Sequence, residues 1–503
     1  MKNFTPNNSV FEFTAEAGPF PVGLKIVEQH DHSRVFGYGT DCLGESLDAP
    51  RPRPIQTLIW YPAQSAGPKR MTVGDYFALW ATETTFGSPR LPARAEEWLA
   101  GIGEMVAAEL RATREAPMAA KRFPVIVYAP SFSSTAWENA DLCEYLASHG
   151  YLVLSGPCMG ERSRAMTLNV AGIEAQARDI SFLVGYAGSL ESADPTQIAV
   201  MGFSWGGLSN VAAAARDPRI GALIALDGSL RFSPGFVAQI EGVHPEQMTI
   251  PLMSVVQGHW TPEEQAAHWA RYPNHAGPNV MNAWVHGDLV TVRMLGLSHL
   301  EHSSMYQRNG EVWWKLFHVY GGKMPDYDRA DGIVGYRWMA RYCLTFLDAY
   351  LKRNPAAMTF LKNSPAENGV PPHTMVTSFR AGKGLSASFD AFRAEVGRQR
   401  FDRIGDVYQN FRTRHADFTL DEASLMSWSE DLLNQDRLVQ AVALLEFNVR
   451  LHLHSTNAHT VLAKAYQRCG DRERSVRQYR KAVEIDFKNA DALWKLKELG
   501  ERA

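Results

Sequence analysis

Gly202-Phe203-Ser204-Trp205-Gly206 decides how this chain is read. An apolar run, Gln197 to Met201, precedes it, and a run of small residues, Gly207 to Ala215, follows. This succession predicts a strand, a sharp turn and a helix. In that setting G-x-S-x-G is a turn that lifts a serine hydroxyl above the C-terminal edge of a parallel sheet. Glycine is needed on both sides because the turn is strained and the adjoining backbone leaves no room for a Cβ.

A serine hydroxyl becomes a nucleophile only with a base and an acid. On this architecture they follow the serine in the order acid, then histidine. Ile220 to Leu226 reads as a buried strand that ends in Asp227-Gly228. Leu289 to Leu295 reads as another, and Gly296-Leu297-Ser298-His299 follows it. Ser204, Asp227 and His299 therefore each fall at the C-terminal tip of an expected strand, the edge where open parallel sheets bind ligands. Each residue also has a plainer role open to it. Asp227 could cap the next helix, and Glu263 or Glu264, after the strand Leu252 to Gln257, is its rival as the acid. His302 competes with His299, which is favoured because it comes first after the strand. His259, His268, His275 and His286 lack the spacing of metal ligands, and neither a metal nor a cofactor is expected.

Acyl transfer also needs two N–H donors for the oxyanion. Trp205, directly after the serine, supplies one. The other is expected from the loop after an earlier strand, Phe123 to Ala129. In that loop, Pro130-Ser131-Phe132-Ser133-Ser134, Phe132 is the chosen donor.

With these segments in place, the chain resembles the bacterial dienelactone-hydrolase-like and platelet-activating-factor acetylhydrolase-like esterases of the α/β-hydrolase superfamily. The resemblance runs from about residue 18 to 350. It is carried by Gly18-Pro19-Phe20-Pro21-Val22-Gly23, Leu58-Ile59-Trp60-Tyr61-Pro62-Ala63, the Phe123 strand, Leu146-Ala147-Ser148-His149-Gly150-Tyr151, Gly202 to Gly207, Ala225-Leu226-Asp227-Gly228 and Gly296-Leu297-Ser298-His299. It implies Ser204, Asp227 and His299 as catalytic residues acting on a small-molecule ester. Two departures stand out. Pro130-Ser131 replaces the His-Gly often found in the oxyanion loop. Ser204 stands where true dienelactone hydrolases carry cysteine, which argues against dienelactone as substrate. Cys158 has no base beside it in sequence and reads as a small core or pocket-side residue.

Composition agrees with a globular enzyme of more than one domain. The 503 residues carry a net charge of −3, which leaves no electrostatic footprint for nucleic acid. No stretch is long and apolar enough to span a membrane. Met1 to Asn7 lacks the apolar core of a secretion signal. Five scattered cysteines, Cys42, Cys143, Cys158, Cys343 and Cys469, do not suggest a disulfide framework. A cytoplasmic setting is expected, or a secreted or periplasmic one if a leader has been removed.

The expected organisation is an α/β-hydrolase domain with a doubly wound, mostly parallel sheet over residues 1–362, a linker over 363–380, and a small all-α domain over 381–503. Within the first domain, residues 71–120 read as a helical insertion, notably Ala95 to Arg114. It could be a lid, a pocket wall or a plain surface helix pair. Segments 232–249, 259–288 and 303–332 are long connections at the active edge, carrying Trp260, Trp269, Trp313 and Trp314; such loops shape pockets or pack as an aromatic cluster. Near the C-terminus Ala458, Leu462, Ala463, Tyr466, Gly470-Asp471, Tyr479 and Ala482 recur at tetratricopeptide spacing, with Trp428, Leu432, Ala441 and Leu445 in phase one 34-residue window earlier. Two repeats and a terminal helix are expected. So short an array needs support, either from the hydrolase domain or from a second copy or protein partner. The functional expectation is a serine hydrolase of carboxylic esters. An amidase or peptidase of the same fold is the alternative within the class, and a non-catalytic interaction platform the alternative outside it.

Overall fold

The computed structural model describes residues 11–40, 49–89, 91, 95–230, 233–258, 267, 270–272, 279–309, 327–384, 387–399 and 401–501. The chain divides into two compact units, Met1–Lys383 and Gly384–Ala503.

The strands of the first unit are β1 (Val22–Phe36), β2 (Arg51–Pro62), β3 (Arg70–Thr72), β4 (Glu109–Arg114), β5 (Phe123–Ala129), β6 (Leu152–Ser155), β7 (Ala193–Phe203), β8 (Ile220–Leu226), β9 (Leu252–Gln257), β10 (Leu289–Met294) and β11 (Met375–Arg380). They form one sheet in the order β11-β10-β9-β8-β7-β5-β6-β2-β1-β4-β3. The block from β6 to β10 is parallel throughout. Antiparallel β2 and β11 flank it on its two sides.

The central strands read as unbroken apolar runs because both faces of the sheet are covered. Ile126 and Tyr128 of β5 enter one core together with residues of the helices Ala140–Ser148 and Arg329–Tyr350. Val125 and Val127 enter the other, with the helices Val170–Ala187 and Trp205–Arg216. After β5 the chain crosses to β6 on one side, then returns to place β7 on the other. Connections leave the two tips in opposite directions at such a reversal, and a crevice opens between them. The tips of β5 and β7 carry the loop 130–134 and the Ser204 turn.

Two sequence expectations need correction. The helix expected from Ala95 to Arg114 stops at Ile102. Gly103–Ala107 is a 3₁₀ turn, and Glu109–Arg114 is β4, parallel to β1 and antiparallel to β3. Leu110 and Ala112 are buried, while Glu109 and Arg114 are exposed. That alternation meets the open edge of β1, and sheet pairing overrides the helical preference of Ala, Glu and Arg. The insertion also contributes to the core, through buried Val73, Tyr76, Phe77 and Ile102. The second correction concerns 363–380, expected as a linker. Its last third is β11, hydrogen-bonded to β10 over six residue pairs from Leu289/Arg380 to Met294/Met375. Its half-polar pattern, Met-Val-Thr-Ser-Phe-Arg, is that of an edge strand with one wet face.

The second unit holds seven helices among the described residues, from Phe389–Arg398 to Ala490–Glu498. Asp421, Ser455 and Asn489 each cap a helix by accepting the N–H three residues on. These caps lie 34 residues apart. Ala441, Ala458, Ala463, Ala482 and Ala492 are fully buried where helices meet. A pair not foreseen, Phe389–Arg398 and Ile404–Arg414, precedes the others. Its core is aromatic, with Phe392, Tyr408, Phe418, Trp428 and Phe447, rather than small-residue.

Candidate active site

Ser204 sits between β7 and the helix Trp205–Arg216, at φ 52° and ψ −116°. A non-glycine residue held there costs about 1–3 kcal/mol, which the surroundings must supply. They do so through hydrogen bonds: Ser204 N–H donates to Leu226 O at 3.0 Å, and its carbonyl accepts from Gly207 and Ser229 at 3.1 and 3.0 Å. The glycines around it are steric requirements. A Cβ on Gly206 would lie 2.0 Å from Ala129 O, and one on Gly207 would lie 2.8 Å from the Cα of Gly228. The second contact explains why a glycine follows Asp227: the elbow helix and the tip of β8 touch backbone to backbone.

Asp227 also has a positive φ, 39°. Its N–H donates to Val255 O at 2.8 Å, and its Oδ1 accepts the N–H of Gln257 at 3.0 Å. Its Oδ2 lies 2.6 Å from His299 Nδ1, and His299 Nε2 lies 2.9 Å from Ser204 Oγ. The three side chains thus form one hydrogen-bonded line across the tips of β7, β8 and β10. Asp227 is buried. Burial alone would raise its carboxyl; the hydrogen bond and charge of His299, the charge of His302 and the Gln257 N–H outweigh it and hold the group below the ordinary carboxylate value. Glu263 and Glu264, the rival acids, lie outside the described residues, as do His259, His268, His275 and the tryptophans 260, 269, 313 and 314.

His302 stands apart from that line. Its Nδ1 faces two carbonyls, Ser298 O at 2.8 Å and His299 O at 3.2 Å, so Nδ1 carries the proton. Burial pushes its pKa down, against the pull of Asp227. It stacks on Phe203 at 6.3 Å, and Phe203 also packs against His299. Geometry therefore places His302 behind the site as support for the loop that carries His299.

Trp205 opens the elbow helix, where backbone N–H groups have no intrahelical acceptor. Phe132 meets it edge to face, with ring centroids 5.6 Å apart. The N–H of Ser131 is taken by Glu138 Oε2 at 2.8 Å. Phe132 is thus the next amide along the loop from the tip of β5.

Supporting residues escaped the sequence reading. Asn139 donates to His302 O at 2.9 Å and accepts from Ser304 N–H at 2.9 Å and Tyr336 OH at 2.6 Å. Ser303 Oγ donates to Glu138 O at 2.9 Å. Glu301 accepts from the Ser298 N–H at 2.8 Å and from Tyr327. The Asn139 and Ser303 bonds tie the His299 loop to the segment that follows the loop 130–134, and Glu301 braces the His299 loop itself. The sequence held no clear signal for them: Glu138-Asn139 and Glu301 lie in stretches already rich in Ser, Thr and His. Cys158 is fully buried and its thiol is pushed up to about 12, so it is an inert core residue.

No protein-family model matches the chain, and no curated protein matches it. A solved structure does: a ferulic acid esterase from Streptomyces cinnamoneus superposes with a TM-score of 0.51 at 20% identity, over 74% of this chain and 99% of that one. The first unit has the α/β-hydrolase fold. With this fold the strand order, the elbow after β7 and the candidate site at the strand tips follow one from another, and an all-helical unit succeeds it.

Proposed function

We propose that this chain is a serine hydrolase of carboxylic esters, working through Ser204, His299 and Asp227. The hydrogen-bonded line from Asp227 through His299 to Ser204 is the observation that carries the proposal. His299 Nε2 takes the proton from Ser204 Oγ as the oxygen attacks the ester carbonyl carbon. Asp227 keeps the imidazole in the tautomer that can accept at Nε2 and stabilises the imidazolium that forms. The N–H groups of Trp205 and Phe132 hold the oxyanion. His299 then gives its proton to the departing alcohol, leaving an acyl group on Ser204, and water removes that group by the same path in reverse. Esters with short or medium acyl groups are the substrates we favour.

We read the second unit as a short tetratricopeptide-type array that serves self-association or a protein partner. The 34-residue interval between helix caps supports this.

A fluorophosphonate probe tests the enzymatic proposal. Wild-type protein should be labelled, and Ser204→Ala should not. The alanine variant should also lose ester turnover down to about 10³–10⁴-fold over water, the level that remains when a triad member is missing. Equal labelling of the two proteins would remove the mechanism.

A further inference from the structure

We propose that the ion pair of Glu83 with Arg164 is a positioning device for the oxyanion loop, setting the direction of the Phe132 N–H. The inference rests on the esterase proposal above and adds residues to it that lie far from the motif.

Arg164 Nε donates to Glu83 Oε2 at 2.8 Å. Its remaining nitrogens reach three backbone carbonyls: Ser133 O at 3.2 Å, Ser134 O at 3.2 Å and Cys158 O at 3.1 Å. Only a planar guanidinium can serve an acid on one edge and several carbonyls on the others. Glu83 is 2% exposed and comes from the insertion between β2 and β5. Burial raises its pKa, against the pull of Arg164.

The fixing of Ser134 reaches Phe132 through one peptide unit. Ser134 N–H donates to Ser131 O at 3.0 Å. Ser131 C=O and Phe132 N–H belong to the same planar peptide, so holding the carbonyl fixes the N–H in the opposite direction. Ser133 between them has a φ of 54°, a strained conformation that needs such restraint. The other end of the loop is anchored separately, by Gln176 on Pro130 O and by Glu138 on Ser131.

The test uses full-length Arg164→Lys and Glu83→Gln with p-nitrophenyl acetate as substrate and a trifluoromethyl ketone as inhibitor. Lysine keeps the charge but loses the fork; glutamine keeps the shape but loses the charge. For Arg164→Lys, kcat/KM should fall about tenfold to a hundredfold, as misplacing a group by about an ångström does. KM should stay near the wild-type value. The inhibitor constant should rise by the same factor, because its tetrahedral adduct needs the same donors. Glu83→Gln should show the same pattern more weakly, and it carries the test should Arg164→Lys not fold. Wild-type kcat/KM in both folded variants would overturn the positioning role, as would a rise in KM alone or an inhibitor constant that does not follow kcat/KM. Absence of turnover in the wild type would instead bring down the esterase proposal, and this inference with it.

Discussion

Asp227→Asn is the sharpest perturbation of the site, because it removes a charge and almost no volume. Asparagine can still accept the Gln257 N–H through its amide oxygen, as Asp227 Oδ1 does at 3.0 Å. Its amide nitrogen then takes the place of Oδ2, which lies 2.6 Å from His299 Nδ1. That nitrogen is a donor, so Nδ1 must become the acceptor and the ring proton moves to Nε2. Nε2, 2.9 Å from Ser204 Oγ, can no longer take the serine proton. A tautomer error of this kind costs about 10⁴-fold in turnover, equivalent to about 5 kcal/mol of transition-state stabilisation. Stopped-flow hydrolysis of p-nitrophenyl acetate at pH 7 measures it. A stability signature accompanies the loss. The Asp227 carboxyl is held below its ordinary value, so its contribution is complete above the unfolded value of roughly 4 and disappears as pH falls through the lowered one. The gap in thermal midpoint between wild type and variant should therefore be widest near neutral pH and close in acid. Turnover within about tenfold of wild type would refute the tautomer argument. A dead variant at Glu263 or Glu264 beside an active Asp227→Asn would move the acid to the end of β9.

Two further outcomes are expected. His299→Ala should lose as much turnover as Ser204→Ala, and the double variant should be little worse, since the pair acts as a unit; His302→Ala should stay within about tenfold of wild type, roughly 1.4 kcal/mol, and the reverse ranking would reassign the base. A chain ending at Lys383 should fold and hydrolyse esters, because β11 and both cores of the first unit are retained; one ending at Lys362 should melt lower, because β10 becomes an open edge. Equal melting of the two would show that β11 does not matter, and light scattering on the longer form reads whether the second unit sets the oligomeric state.

What the sequence disclosed was whatever depends on neighbours along the chain. The strands 123–129, 220–226 and 252–257 were readable because sheets buried on both faces demand unbroken apolar runs. The elbow was readable because its glycines recur at a fixed short spacing, although the backbone that demands them lies on the tips of both neighbouring strands, Ala129 for Gly206 and Gly228 for Gly207. β11 was hidden for the opposite reason: an edge strand with one wet face resembles the polar, proline-bearing stretch before it. β4 was hidden because Ala, Glu and Arg favour helix, and only the free edge of β1, 90 residues earlier in sequence, makes them a strand.

The same distinction runs through the site. From Ser204 to Asp227 the path is one helix and one strand, so the interval between them is set by local geometry and carries information. The loop 130–134 has no such rule. Pro130, Ser131, Ser133 and Ser134 are held by Gln176, Glu138 and Arg164, and Arg164 by Glu83. Those partners come from separate helices and loops, and each makes chemical sense only once the sheet has brought them together. A loop of Pro, Ser and Phe has little rigidity of its own, so its order must be imported. The charged residues that supply it are buried, or partly so in the case of Arg164, and such burial is tolerated only where hydrogen bonds repay the lost hydration. Pro130-Ser131-Phe132 is thus held in place by partners drawn from outside the loop.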